Sequence, residues 1–167
     1  HLLKEVYKTA SFVKDMIYGR RVVLFAPLYI SNLCTNKCLY CAFQTGNTKL
    51  KRKALTIEEI KQEVMVMLER GHKRILMVAG EAGAHGQDPV DYYIDAIKAI
   101  YSVEVGPHKI KRVNINCAPL SIEQFKKLKG AGIGTFQIFQ ETYHDGTYRK
   151  MHVSGPKSDP DNRIDAV

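Results

Sequence analysis

The sequence predicts an α/β fold built from four successive strand–helix units on a parallel sheet. Three observations predict it. Short apolar, β-branched runs alternate with segments of helical periodicity. Helix-start signals recur before each of those segments. Glycines punctuate the crossings between them. Strict alternation implies parallel strands joined by right-handed crossovers, hence a barrel or a doubly wound sheet.

The first element is a helix over residues 1–18, in which Leu3, Val6, Ala10, Val13 and Ile17 share a face and Gly19 supplies the stop. Val22 to Ile30 reads as the first strand, buried on both faces, with Pro27 arguing for an edge. Thr56 and Glu59 form a capping box that opens a helix to Arg70, ended by Gly71. Ile75 to Ala79 is the second strand, and Asp88 with Pro89 starts a helix to Tyr101. Val113 to Asn116 is the third strand, followed by a Ser121–Gln124 capping box and a helix to Lys129. Thr135 to Gln140 is the fourth.

The chain has 167 residues, which suits one domain over 1–167 with the strand–helix units in 20–167. Four units do not close a barrel, and an open parallel edge leaves backbone groups unpaired. Together with His1 at the start and an uncapped stretch from Ser158 to Val167, this reads as a piece of a longer protein. No apolar run approaches the roughly 20 residues that span a bilayer, and the start lacks signal-peptide order, so the expected location is cytoplasmic. The formal charge is +8, with its densest run at Lys49, Lys51, Arg52 and Lys53. Without interleaved aromatics that run reads as a solvated face and not as a nucleic-acid site.

Cys34, Cys38 and Cys41 crowd into eight residues directly after the first strand, too close for a disulfide framework and well placed to share a metal. Three thiolates on one loop suit a cubane cluster with one iron left open. A structural zinc site needs a fourth ligand, for which His72 and His85 are the candidates. Cys117 stands apart and reads as a small buried hydrophobe.

The Cys34-Thr-Asn-Lys-Cys38-Leu-Tyr-Cys41 loop, with an aromatic residue before its last cysteine, resembles the radical S-adenosylmethionine (SAM) superfamily. The resemblance implies a partial TIM-like barrel, with Cys34, Cys38 and Cys41 on a [4Fe-4S] cluster whose open iron takes SAM. It also implies reductive cleavage of SAM to a 5′-deoxyadenosyl radical, with the Tyr40 backbone facing the adenine. Ala79-Gly80-Glu81 resembles the family's glycine–glutamate motif for the methionine amino group, although the dipeptide also suits an ordinary turn. Leu24 to Asn32, Gly132 to His144 and Gly155-Pro156-Lys157 narrow the resemblance to the tyrosine lyase group. One branch of that group serves [FeFe]-hydrogenase maturation, and the other, 2-iminoacetate synthase, serves thiamine biosynthesis.

The resemblance implies Cα–Cβ cleavage of L-tyrosine to p-cresol and dehydroglycine, with ferredoxin or flavodoxin as electron donor. Two stretches depart from the pattern: the loop Ala82 to Gln87 is long, and Ala42-Phe43-Gln44 replaces a glycine–aromatic pair. Glu141 is expected to orient the cofactor or else to pair with Lys150 or Arg149. Asn114 and Asn116 alternate to one face, where Asn116 meets either a ligand or structural water. Tyr143 and His144 carry weaker signals. The competing class is a non-catalytic metal-binding module.

Overall fold

The computed structural model describes residues 1–166. In chain order the elements are α1 (Leu2–Tyr18), β1 (Ala26–Ser31), β2 (Lys37–Cys38), α2 (Ile57–Glu69), β3 (Arg74–Ala79) and α3 (Pro89–Ser102). There follow β4 (Glu104–Val105), β5 (His108–Lys109), β6 (Arg112–Asn116), α4 (Ile122–Gly130) and β7 (Phe136–Gln137). The chain continues through α5 (Asp145–Met151), β8 (His152–Ser154), a 3₁₀ turn at Pro156–Ser158 and α6 (Asp161–Ile164).

The helix starts form for the reasons their side chains predict. Thr56 and Ser121 each accept from the backbone N–H three residues on, while Glu59 and Gln124 reach back to the cap. Asp88 accepts from the Val90 N–H, and Pro89 occupies the first turn, where no N–H is needed. Gly71, at φ 84°, ends α2.

Strands β1, β3, β6 and β7 form one parallel sheet in that spatial order. The order matches four consecutive units of a TIM-like barrel, and Pro27 lies on the edge strand as its missing N–H requires. Two expectations need correction. The first strand begins at Ala26 and not at Val22, and it alternates buried and exposed residues instead of being buried on both faces. The reason is that helices cover one face only. Leu28, Ile30, Ile75, Met77, Val113 and Ile115 join Ile60, Val64, Leu68, Ile97 and Ile100 in a single core. The fourth strand is shorter than its apolar run, because only Phe136 and Gln137 find partners on β6.

Helix α1 forms as its periodicity predicts, yet none of its residues is buried. The stretch after Ser158 carries the short α6. Among the described residues no helix is long and apolar enough to cross a membrane. The basic run is more than a solvated face: Lys53 pairs with Glu59, and the half-buried Arg52 hydrogen-bonds backbone carbonyls.

Candidate active site

Loops at the carboxyl ends of the parallel strands converge because parallel pairing places those ends side by side. Ser31 of β1 lies in register with Ala79 of β3, and Val78 lies in register with Asn116 of β6. The cysteine loop therefore leaves its strand beside Gly80 and Glu81. The Gly80 N–H donates to the Ser31 carbonyl at 2.9 Å. A β-carbon at Gly80 would sit 2.1 Å from the Leu33 carbonyl oxygen, so only glycine permits the loop to pass. Thr35 completes the stitch, donating through its N–H (3.2 Å) and its hydroxyl (2.9 Å) to the Glu81 carbonyl.

Asn36 is 2% exposed and joins three segments. Its amide donates to Glu81 Oε2 at 2.7 Å, while its carbonyl oxygen accepts from the Lys157 N–H at 2.8 Å. Gly155, at φ 90°, lets that segment approach, since a β-carbon there would lie 2.6 Å from Asn36 Oδ1. Next to it β2 pairs antiparallel with β8, setting Cys38 opposite His152.

His152 is buried, with Nδ1 2.7 Å from the Tyr148 carbonyl and Nε2 2.7 Å from the Tyr40 hydroxyl. A carbonyl only accepts, so the network assigns the proton to Nδ1 and makes Tyr40 the donor to Nε2. Burial, reinforced by Glu141 and Cys38, raises the Tyr40 phenol above its ordinary range.

These elements enclose a cavity of about 240 Å³. Cys34, Cys38, Cys41, Tyr40, Gly80, Glu81, Asn116 and Glu141 are all among the residues that line it, so every residue singled out as a metal or cofactor contact reaches one space. A larger hollow of about 510 Å³ lies beyond the edge-to-face pair of Tyr29 and Phe43, which borders both spaces. None of the cysteines lines that hollow. His72 and His85 are not among the residues lining either one. His85 instead approaches the Leu55 carbonyl at 3.1 Å and packs on Tyr92.

The donor set fits an iron–sulfur cubane. All three thiols are free. Among the described residues no three His, Cys, Asp or Glu side chains gather on one metal-ion position. In a cubane each thiolate takes a different iron, which three thiols on one short loop suit. Burial raises the Cys38 thiol above its ordinary value, and nearby Lys157 works in the opposite direction. Arg163, 3% exposed, also lines the cavity and pairs with Glu81. Asn116 lines the cavity, and its Nδ2 is buried without a hydrogen-bond partner among the described residues.

Glu141 sits at φ 70°, an uncommon backbone region for a glutamate, and pairs with Lys157 at 2.7 Å. The alternative pairing with Lys150 or Arg149 does not form, and Arg149 binds Asp145 instead. Tyr143 is 85% exposed, and His144 caps α5. Cys117 is buried, as expected for a small hydrophobe, and burial pushes its thiol up to about 12. It nevertheless borders the same cavity as the cluster-loop thiols. The long loop after Glu81 closes on itself through an Ala84–Gln87 bridge. Asn36, Lys157 and Arg163 were not singled out as site residues. Lys157 stands in a motif that only the resemblance marked, and Arg163 has no local signature.

Four free thiols and an unpaired amide belong to residues that border one strand-end cavity of a partial α/β barrel. The Radical SAM superfamily model matches residues 28–167, and the chain belongs to that superfamily. Its members use a [4Fe-4S] cluster and S-adenosylmethionine.

A crystal structure of HydG, a maturase of the [FeFe]-hydrogenase, superposes with TM-score 0.88 at 48% identity, covering 99% of this chain and 36% of that one. HydG from Carboxydothermus hydrogenoformans gives TM-score 0.78 at 42% identity, covering 94% of this chain and 35% of that one. The 2-iminoacetate synthase of Escherichia coli is 32% identical over 94% of this chain and 39% of its own length. The chain thus spans under two fifths of the length of each of these three relatives.

Proposed function

We propose that the chain is the cofactor-binding part of a tyrosine lyase that cleaves the Cα–Cβ bond of L-tyrosine to p-cresol and dehydroglycine in [FeFe]-hydrogenase maturation. The observation that carries the reading is the single cavity lined by Cys34, Cys38, Cys41, Gly80, Glu81, Asn116 and Glu141. When bound there, the cluster and SAM supply reductive cleavage of SAM and a 5′-deoxyadenosyl radical that abstracts hydrogen from substrate.

The chain's own residues hold and orient. Cys34, Cys38 and Cys41 would hold the cluster, with Lys157 and Arg163 offsetting its negative charge. Glu81, fixed by Asn36 and Arg163, presents a carboxylate to an ammonium group. Asn116, on the cavity wall, would face the ligand, and the backbone at Tyr40 would frame the adenine, with the Tyr40 ring held by His152. Glu141, held by Lys157, orients SAM. Tyr29 and Phe43, packed edge to face, line one part of the cavity wall.

Higher identity to the hydrogenase maturases than to 2-iminoacetate synthase supports the maturation branch. Thiamine biosynthesis is the second reading, favoured by the likeness to the Escherichia coli enzyme. The test is an anaerobic assay of the intact parent protein with SAM, a low-potential donor such as ferredoxin or flavodoxin, and saturating L-tyrosine. Release of p-cresol with 5′-deoxyadenosine is expected. Deoxyadenosine without p-cresol would overturn the tyrosine assignment and leave the superfamily membership standing.

A further inference from the structure

The three candidate cluster ligands lie on a loop whose two ends meet at one side chain. Arg52 Nη1 donates to the Asn32 carbonyl at 2.8 Å, two residues before Cys34. The same nitrogen donates to the Phe43 carbonyl at 2.7 Å, two residues after Cys41, and Nη2 donates to the Gln44 carbonyl. The backbone beside Arg52 strengthens the join. Asn32 donates from its amide to the Lys51 carbonyl at 2.9 Å and accepts the Lys53 N–H at 2.7 Å, while its own N–H donates to the Lys53 carbonyl at 3.0 Å.

We infer that Arg52 is a positioning residue for the iron–sulfur cluster, a clasp that fixes the separation of the loop ends and so presets the three thiols. The inference rests on the proposed function for the identity of the cluster. Its geometry rests only on the bonds above.

A planar guanidinium offers several N–H groups in fixed directions, and here they are spent on main-chain carbonyls from both sides of the loop. Charged donors to neutral carbonyls make strong hydrogen bonds. Those carbonyls belong to irregular backbone outside the sheet, where no ladder would otherwise satisfy them. Holding the ends together removes loop freedom before the cluster binds, which lowers the entropy lost on binding. A lysine keeps the charge but cannot reach the carbonyls on both sides in one plane.

The test compares Arg52→Lys and Arg52→Gln with the native residue in the intact parent protein, by two readouts. In the cluster-free protein, amide hydrogen exchange over 33–44 should quicken about tenfold or more in both variants, while residues 75–78 and 113–115 in the sheet stay unchanged. After anaerobic reconstitution, an iron chelator should strip iron about tenfold faster from both variants than from native protein. Arg52→Lys matching the native protein in both readouts would overturn the clasp in favour of charge alone. Unchanged exchange over 33–44 in Arg52→Gln would overturn it outright, and so would exchange that quickens equally in the sheet. Should the native protein take up no cluster, the proposed function fails, and the hydrogen-exchange comparison still decides whether Arg52 holds the loop.

Discussion

Asn36 and Glu81, separated by 45 positions, meet through a 2.7 Å hydrogen bond from the Asn36 amide to the Glu81 carboxylate. The bond joins the cysteine loop to the carboxylate that follows β3, so the two motifs share one rigid frame. Asn36→Ala would strand Glu81 Oε2 and the part-buried Lys157 N–H, a cost of about 1–3 kcal/mol. Asn36→Asp adds a negative charge beside Glu81 and should cost more. Urea unfolding gives the stability change, and titration with SAM should show weakened binding in both variants.

Gly80 is the second rigid point. Because a β-carbon would overlap the Leu33 carbonyl at 2.1 Å, Gly80→Ala must push the cysteine loop away from β3. The expected result is reduced iron and sulfide content after reconstitution. Gly46→Ala is the control, since its β-carbon meets only ordinary contacts at 3.5 Å and should leave iron content unchanged.

Cysteine replacements should divide by loop. Removing Cys34, Cys38 or Cys41 leaves two thiolates, and the visible iron–sulfur absorption should be lost. Cys117→Ala, although it alters the same cavity, should keep that absorption. Retained absorption in Cys38→Ala, or its loss in Cys117→Ala, would overturn the ligand assignment.

Tyr92 predicts a dependence on alkaline pH. Burial, with a smaller push from Glu59, raises its phenol from 10.0 to about 12. The folded state therefore holds the proton more tightly than the unfolded chain. The stabilisation is fully present below about pH 10 and is lost as pH rises from there to about 12, at up to about 1.4 kcal/mol per unit. Tyr92→Phe should flatten that part of the stability profile in urea titrations. It should also lower stability at neutral pH, because Tyr92 Oη donates to the Ile30 and Leu55 carbonyls at 3.0 and 2.8 Å.

Capping boxes at Thr56 and Ser121 and the Asp88–Pro89 start were legible because their causes lie within one helix. Parallel pairing followed from alternation, and the sequential strand order agrees with the barrel that the resemblance implied and not with the doubly wound alternative. The strand ends were less legible. Val22 to Phe25 has strand-like residues but no partner, and Ile138 to Gln140 continues an apolar run past the end of β6 pairing. Propensity cannot report a missing neighbour.

By itself the sequence determined the alternating architecture, the thiol spacing and the superfamily, all of which depend on residues close together in the chain. Only the tertiary structure decided that Glu141 pairs with Lys157, that Arg163 turns inward to Glu81 and that Arg52 grips both ends of the cysteine loop. Each of those contacts links separate segments, and the partner of a charged side chain is set by where folding brings the backbone, which local pattern does not encode.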